Sequence, residues 1–424
     1  MKNTFRLLLI AFVAIIATPR LARAQGLVTE EYFRQLGMPD QLATVTPPTP
    51  ETEERYNFAV GPFRFNIAAG VGLEYNDNIT LAEHSKQSDF ILRPSLTLDG
   101  YWTLSEVNTL RFSLGISYAK YFNHSQFDTR GILVSPSSAL ALSVHAGNFI
   151  ITIRDQFTYQ EDPIQNPTLS NVSNYQRFEN TAGIQVNWPA SETVTVIAGY
   201  DHYNMWAFQN QYDQLTRTTE SVYIRPSVAV SPSVTVGLDV SASFVKFDKA
   251  IQNDGNSYLV GPFAQITLTE ATQAYIEAGY QLFEFDQTGS INDNSNSSSW
   301  YGRLQITNKL SEAITQRLSA SKSAEVGYGT NFYDLYHVEY GAVWQMTPSM
   351  TLDPTVFWEH YQTSSDTTTT AESASRFGFA LGLRYALTPT LTLGADYRFV
   401  LKDSNVPNSN YRQNVALLSL YYNF

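Results

Sequence analysis

PFRFNIAAGVGLEY, residues 62–75, alternates without a break. Phe63, Phe65, Ile67, Ala69, Val71, Leu73 and Tyr75 share one parity; Arg64, Asn66, Ala68, Gly70, Gly72 and Glu74 share the other. Successive side chains of a strand point to opposite faces, so this segment has an apolar face with aromatics at its ends and a small or charged face. Strands of soluble sandwiches alternate too, but over about five or six residues as a rule. One this long, with aromatics at both ends, suits lipid on one side and a wet lumen on the other.

The same alternation returns in LLSLYYNF, residues 417–424. Leu418, Leu420, Tyr422 and Phe424 lie on one face, and Ser419, Tyr421 and Asn423 on the other. Terminal residues fray unless something ties them down. The last strand, Arg412–Phe424, is therefore expected to pair with the first and close the sheet. Its apolar ending resembles the signal by which the outer-membrane barrel assembly machinery recognises its substrates.

Between these ends, strands alternate with two kinds of connection. One is tight, as in HAGN, SPS, TPS and LTPT, where Pro presets a turn or Ser, Thr and Asn bond their own backbone. The other is long and polar, as in DNITLAEHSKQ, EDPIQNPTLSNVSN, DQTGSINDNSNSSS and KDSNVPNSN. Short turns on one side and long loops on the other are the asymmetry of an outer-membrane barrel, with turns periplasmic and loops outside. The expected fold is all-β: a closed antiparallel transmembrane β-barrel of about 18 strands over residues 62–424. Closure removes the edges that so many strands would otherwise expose.

The amino terminus reads as an export signal over residues 1–24. Lys2 and Arg6 supply the charge, Leu7–Ala17 the apolar core, and Ala22-Arg23-Ala24 the cleavage pattern. That core is short of the roughly 20 residues of a spanning helix. Residues 25–61, Pro- and charge-rich in GMPDQLATVTPPTPETEERY, are expected to form a periplasmic linker or partner-binding arm. With no cysteine, a disulfide framework and a thiolate metal site are excluded. A net charge of -12 with no basic stripe argues against nucleic acid, which is bound by cationic neutralisation of phosphates.

The inward parity collects Arg64, Arg93, Arg111, Arg154, Arg177, Arg225, Arg303, Arg384 and Arg398. Beside them run Glu74, Asp99, Glu179, Asp201, Asp239, Glu277, Glu339, Asp353, Glu359 and Asp396. A charge at the bilayer midplane costs about 2–4 kcal/mol on a lipid face, so this confinement supports the assignment of inside and outside. These residues are candidates for the lumen lining, either bracing the wall or forming a solute track. Inward aromatics such as Tyr101, Tyr223, Tyr301 and Tyr361 either fill lumen space or offer flat faces to sugar rings. The six histidines are scattered, with no metal-binding spacing and no G-x-S-x-G, so the sequence points to no catalytic, cofactor or metal residues. A His–Ser pair across neighbouring strands stays open.

GLEYNDNIT, residues 72–80, and SDFILRPSLTLDG, residues 88–100, resemble the opening hairpin of the β-barrel porin 2 family. Its members are outer-membrane proteins, several of them belonging with exopolysaccharide operons. The resemblance implies location, topology and a link to polysaccharide, and carries over no functional residue. The expected function is a porin-like channel for solute or polysaccharide passage, linked to exopolysaccharide export. Its expected partners are outer-membrane lipid, the assembly machinery, periplasmic export components and polysaccharide. A non-conducting scaffold and a barrel lipid hydrolase remain as alternatives.

Overall fold

The computed structural model describes residues 56–365 and 371–424. The expected export signal, and the expected arm as far as Arg55, lie outside these residues. In chain order the strands are β1 (Phe58–Val60), β2 (Phe63–Asn76), β3 (Asp89–Thr103), β4 (Thr109–Ser117), β5 (Lys120–Tyr121), β6 (Leu133–Val134) and β7 (Ala139–Ala146). There follow β8 (Phe149–Gln160), β9 (Arg177–Pro189), β10 (Val194–Ala207), β11 (Arg217–Ser231), β12 (Val234–Phe247), β13 (Gly255–Thr269) and β14 (Thr272–Phe285). The last are β15 (Ser297–Lys309), β16 (Ile314–Val326), β17 (Phe332–Thr347), β18 (Met350–Thr363), β19 (Ser373–Ala386), β20 (Leu391–Ser404) and β21 (Tyr411–Asn423). Each wall strand pairs antiparallel with its neighbours in the sequence, and β21 returns to β2. The result is a closed barrel of 18 strands with three short extra ones, β1, β5 and β6.

The closing seam runs from Ala68↔Asn423 to Asn76↔Val415, and the Phe424 amide donates to the Ile67 carbonyl at 3.1 Å. Below Phe424 the β2 edge is taken up by β1, in the register Phe58↔Phe65 to Val60↔Phe63. Asn57 bridges the two, its side chain bonding the Phe424 carbonyl and the Ile67 amide. Residues 58–60, which composition groups with the arm, are thus part of the sheet: a tight turn at Gly61, with φ +61°, folds them back onto β2.

The outside is apolar. Val71, Leu73 and Tyr75 of β2 and Leu418, Leu420, Tyr422 and Phe424 at the carboxy terminus are all exposed. Aromatic pairs mark the two rims: Phe63 stacks on Trp102 at 4.2 Å, and Tyr75 meets Phe90 at 5.0 Å. The span from Phe63 to Tyr75, at about 3.3 Å per residue and a tilt of about 40°, covers roughly 30 Å of height, enough for the hydrocarbon layer.

At one end the strands are joined by tight turns, such as 147–148 between β7 and β8 and 232–233 between β11 and β12. At the other end lie the longer segments, such as 77–88, 161–176 and 286–296. Two of the segments at this end, 208–216 and 327–331, are not among the long loops read from the sequence. The wall is least regular between β4 and β7: β5 continues the pairing with β3, and β6 bridges β4 and β8.

Candidate functional site in the barrel lumen

The inward face changes character along the barrel axis. Toward the turns, inward residues of β2 and β9 such as Arg64, Asn66, Gln185 and Asn187 are half-exposed, while Tyr101, Gln345, Thr351 and Arg384 at the same end are buried. Toward the loops, Glu74, Arg177, Met205, Tyr361, Arg376 and Tyr411 are buried. The loop segments fold into that half and cover them.

Segment 161–176 does most of this. It leaves β8 through a short 3-10 turn, Pro163–Gln165, capped by the Asp162 side chain, which accepts from the Ile164 amide at 2.9 Å. Ile164 then packs with Leu81 of segment 77–88 and with Phe357, Val400 and Tyr411 on the far side of the wall. The Arg376 guanidinium donates to the Ile164 carbonyl at 2.7 Å, and Lys402 donates to Ser170 at 2.9 Å. Asn171 donates its amide N–H to the Leu81 carbonyl at 3.0 Å. On the near side, Leu169 and Tyr175 pack with Met205, Tyr212 and Leu215, which brings in segment 208–216. Glu161, at the foot of the segment, is buried and accepts from Thr129 at 3.1 Å and Gln176 at 3.0 Å. Burial pushes its carboxyl above the ordinary range, against the lowering pull of those two hydrogen bonds.

The sequence-derived lumen residues fall into separate groups around the wall. Glu74 and Arg93 pair at 2.5 Å, Arg384 and Asp396 at 2.7 Å, and Arg177 and Glu179 at 2.5 Å. Arg154 reaches Asp201 at 2.7 Å across β9, where Gly183 leaves the room: a Cβ there would lie 1.9 Å from the Asp201 carboxylate. Arg225 lies between Asp239 at 3.1 Å and Glu277 at 3.7 Å, over the Phe263 ring at 4.8 Å. Glu277 accepts from Tyr301 at 2.9 Å and faces Arg303 in the strand register. Arg111 lies over the Tyr101 ring, and Asp99 accepts from Ser113 at 2.7 Å. Arg398 meets Asp162 of the crossing segment at 3.7 Å. Arg64 lies opposite Ala59 of β1, and Asp353 opposite Gly382 of β19.

Glu339 and Glu359 belong to a longer chain. Arg317 contacts Glu339 at 3.2 Å, His337 lies 3.9 Å from Glu339 and 3.1 Å from Glu359, and Arg376 closes it on Glu359 at 2.7 Å. Arg376 and Lys402, which with Arg398 hold segment 161–176 from the opposite wall, are missing from the sequence-derived set. The rule that selected Arg384 and Arg398 reaches them, since each shares its strand and parity with one of those residues.

A His–Ser pair is present, on the outer face. His360 Nδ1 lies 3.0 Å from Ser375 Oγ, across the β18–β19 ladder. Among the described residues no carboxylate lies within ion-pair distance of this ring to orient it, unlike His124, His202 and His337, which meet Asp89, Glu220 and Glu359. Both residues also sit within paired strands, where backbone N–H groups are committed to the ladder.

A closed antiparallel wall with apolar outer and charged inner faces, narrowed by a segment folded into its lumen, defines a porin-like outer-membrane β-barrel. Residues 57–424 match the family described as Putative beta-barrel porin 2, and the chain belongs to that family. It resides in the outer membrane of a Gram-negative bacterium. No curated protein matches the sequence. Among solved structures, Pseudomonas aeruginosa OccK2 (OpdF) in complex with glucuronate is 10% identical, with 85% of this chain and 98% of that chain covered and a TM-score of 0.49. Pseudomonas aeruginosa OpdQ is 12% identical over 85% and 98%, with a TM-score of 0.48. Acinetobacter baumannii OccAB3 is 10% identical over 85% and 99%, with a TM-score of 0.47.

Proposed function

We propose that the protein is a channel that passes polar solutes, polysaccharide chains among them, and that it serves exopolysaccharide export. The observation that carries this reading is the division of the lumen. A section near the turns with half-exposed polar side chains on β2 and β9 leads to a section narrowed by segment 161–176, which side chains of the opposite wall hold in place. In this reading the turns face the periplasm and the long loops the outside, as in other barrels of this membrane. The paired charges brace the wall, and solute passes beside the crossing segment. The exposed terminal stripe of Leu418, Leu420, Tyr422 and Phe424 is offered to the assembly machinery, and residues 25–55 to periplasmic export components.

Swelling of proteoliposomes in neutral and acidic oligosaccharides tests the channel. Swelling that falls with oligosaccharide length supports it; vesicles that hold the folded protein and admit no sugar contradict it. The apolar packing of Ile164 and Leu81 against the far wall favours one second reading, a scaffold closed until a partner binds. Co-purification of periplasmic proteins that is lost when residues 25–55 are deleted supports that reading.

A further inference from the structure

The wall is split on its loop side between β15 and β16. Their ladder runs only from Lys309↔Thr315 to Gly302↔Lys322. Beyond that point β15 stays paired with β14, as far as Phe283↔Ser297, and β16 stays paired with β17, as far as Val326↔Phe332. The end of β16 turns into the barrel. Its Ala324 N–H and C=O bond the Gln281 side chain of β14, at 3.0 and 3.2 Å, in place of the β15 backbone.

What lies on either side of this slit is apolar. Inside, Val245, Phe247, Phe283, Ala324 and Phe332 form a buried cluster with Phe285 and Val326 against it. Outside, a groove of about 460 Å³ runs over β11–β14, lined among others by Val240, Tyr258, Val260, Tyr280 and Leu282. Tyr280 bonds Ser298, so the groove ends at the stretch of β15 that β16 leaves unpaired. Trp300 stands at the mouth, 55% exposed, with the Tyr336 ring 6.3 Å away on β17.

Lys322 spans the slit. The register puts it opposite Gly302 and Tyr336, yet its side chain is only 4% exposed. Its ammonium donates to Ser299 on β15 at 2.5 Å and to Asp334 on β17 at 2.8 Å, and lies 5.8 Å from the Trp300 ring. An ammonium beside a Trp at the rim of an apolar track matches an amphiphile with a carboxylate head and a single alkyl chain.

We propose that the β15–β16 slit is a lateral portal, latched by Lys322 on Ser299, through which a long-chain fatty acid moves between the membrane and the Phe283–Phe332 cluster. The carboxylate exchanges with Asp334 on Lys322, and the chain passes from the outer groove to the inner cluster. This site is separate from the polar path through the lumen.

The test uses palmitate carrying a diazirine at the chain end, added to the full protein in lipid vesicles, with the labelled residues mapped by mass spectrometry. The unaltered protein is expected to be labelled at Phe283, Phe285 and Phe332 as well as at Tyr258 and Tyr280. The chain has no cysteine of its own, so Ser299→Cys with Ser323→Cys, which keeps Lys322, can be bridged across the slit by a short bifunctional thiol reagent. Bridging is expected to abolish labelling at the inner cluster and leave that of the outer groove and the ionic conductance unchanged. Ser299→Ala, which releases the latch, keeps the Lys322 ammonium and needs no cross-link, is expected to increase inner labelling. Inner labelling that survives bridging, or that is absent from both the unaltered protein and Ser299→Ala, overturns the proposal.

Discussion

Arg376 joins the wall to the segment that narrows the lumen, so its removal separates stability from permeability. Both Arg376 and its partner Glu359 are fully buried, 1% and 0% exposed, and they meet at 2.7 Å. Replacing Arg376 with Met leaves the Glu359 carboxylate buried with His337 as its remaining partner. Breaking a buried pair in this way costs about 3–5 kcal/mol. The charge-assisted bond to the Ile164 carbonyl is lost at the same time, and with it the main polar tie between segment 161–176 and β19. A second variant, Arg376→Met with Glu359→Gln, removes the orphaned charge. It should recover most of the stability, because a buried pair is often close to neutral against an uncharged replacement. Neither variant restores the tie, so both should conduct more than the unaltered protein. Urea unfolding in lipid vesicles, followed by tryptophan fluorescence, reads the stability; planar-bilayer recording reads the conductance. A loss of less than about 1 kcal/mol in the single variant would contradict the buried-pair argument. A conductance unchanged in both variants would show that segment 161–176 does not limit the path.

Other perturbations test other links. Val240 faces outward at mid-height, so Val240→Arg should cost about 2–4 kcal/mol in urea unfolding, while Ser241→Arg on the inward parity should be tolerated; equal costs would refute the assignment of faces. Gly183→Ala should break the Arg154–Asp201 pair by steric exclusion and destabilise the barrel by about 1–3 kcal/mol, whereas Ala182→Gly, on the other face, should not. The Glu161 carboxyl is raised by burial, so its protonated form is favoured in the folded loop. The stability it contributes is fully present below the ordinary carboxylate pKa of about 4.3 and is lost as pH rises through the raised value. Segment 161–176 should therefore sit more firmly, and conductance be lower, at acid than at neutral pH; Glu161→Gln should flatten that dependence, and an unchanged pH profile would refute the assignment. Deleting residues 417–424 removes most of the pairing of β21 with β2 and should yield no heat-modifiable barrel.

The wall was legible in the sequence because a strand between lipid and water has to alternate, and a single strand such as Phe63–Asn76 shows the rule by itself. The closing strand was legible for the same reason, with Leu418 to Phe424 keeping their parity to the last residue. Segments 208–216 and 327–331 were harder to see. FQNQYDQLT carries Tyr212 and Leu215, which look like strand residues but are buried against Leu169 and Tyr175 of another loop. The narrowing of the lumen follows from loops meeting distant strands, as Ile164 meets Arg376, and no local period encodes such a contact. Arg376 and Lys402 lay within reach of the parity rule, but their importance comes from what folds onto them. The β15–β16 split was illegible, since both strands alternate normally and only the register shows where they part.

Single-channel recording of the refolded protein in a planar bilayer, with and without acidic and neutral oligosaccharides, decides whether the barrel is a channel. Stable open steps that saccharides interrupt are the predicted result. A folded, heat-modifiable barrel that never conducts, in the unaltered protein or in Arg376→Met, would contradict it.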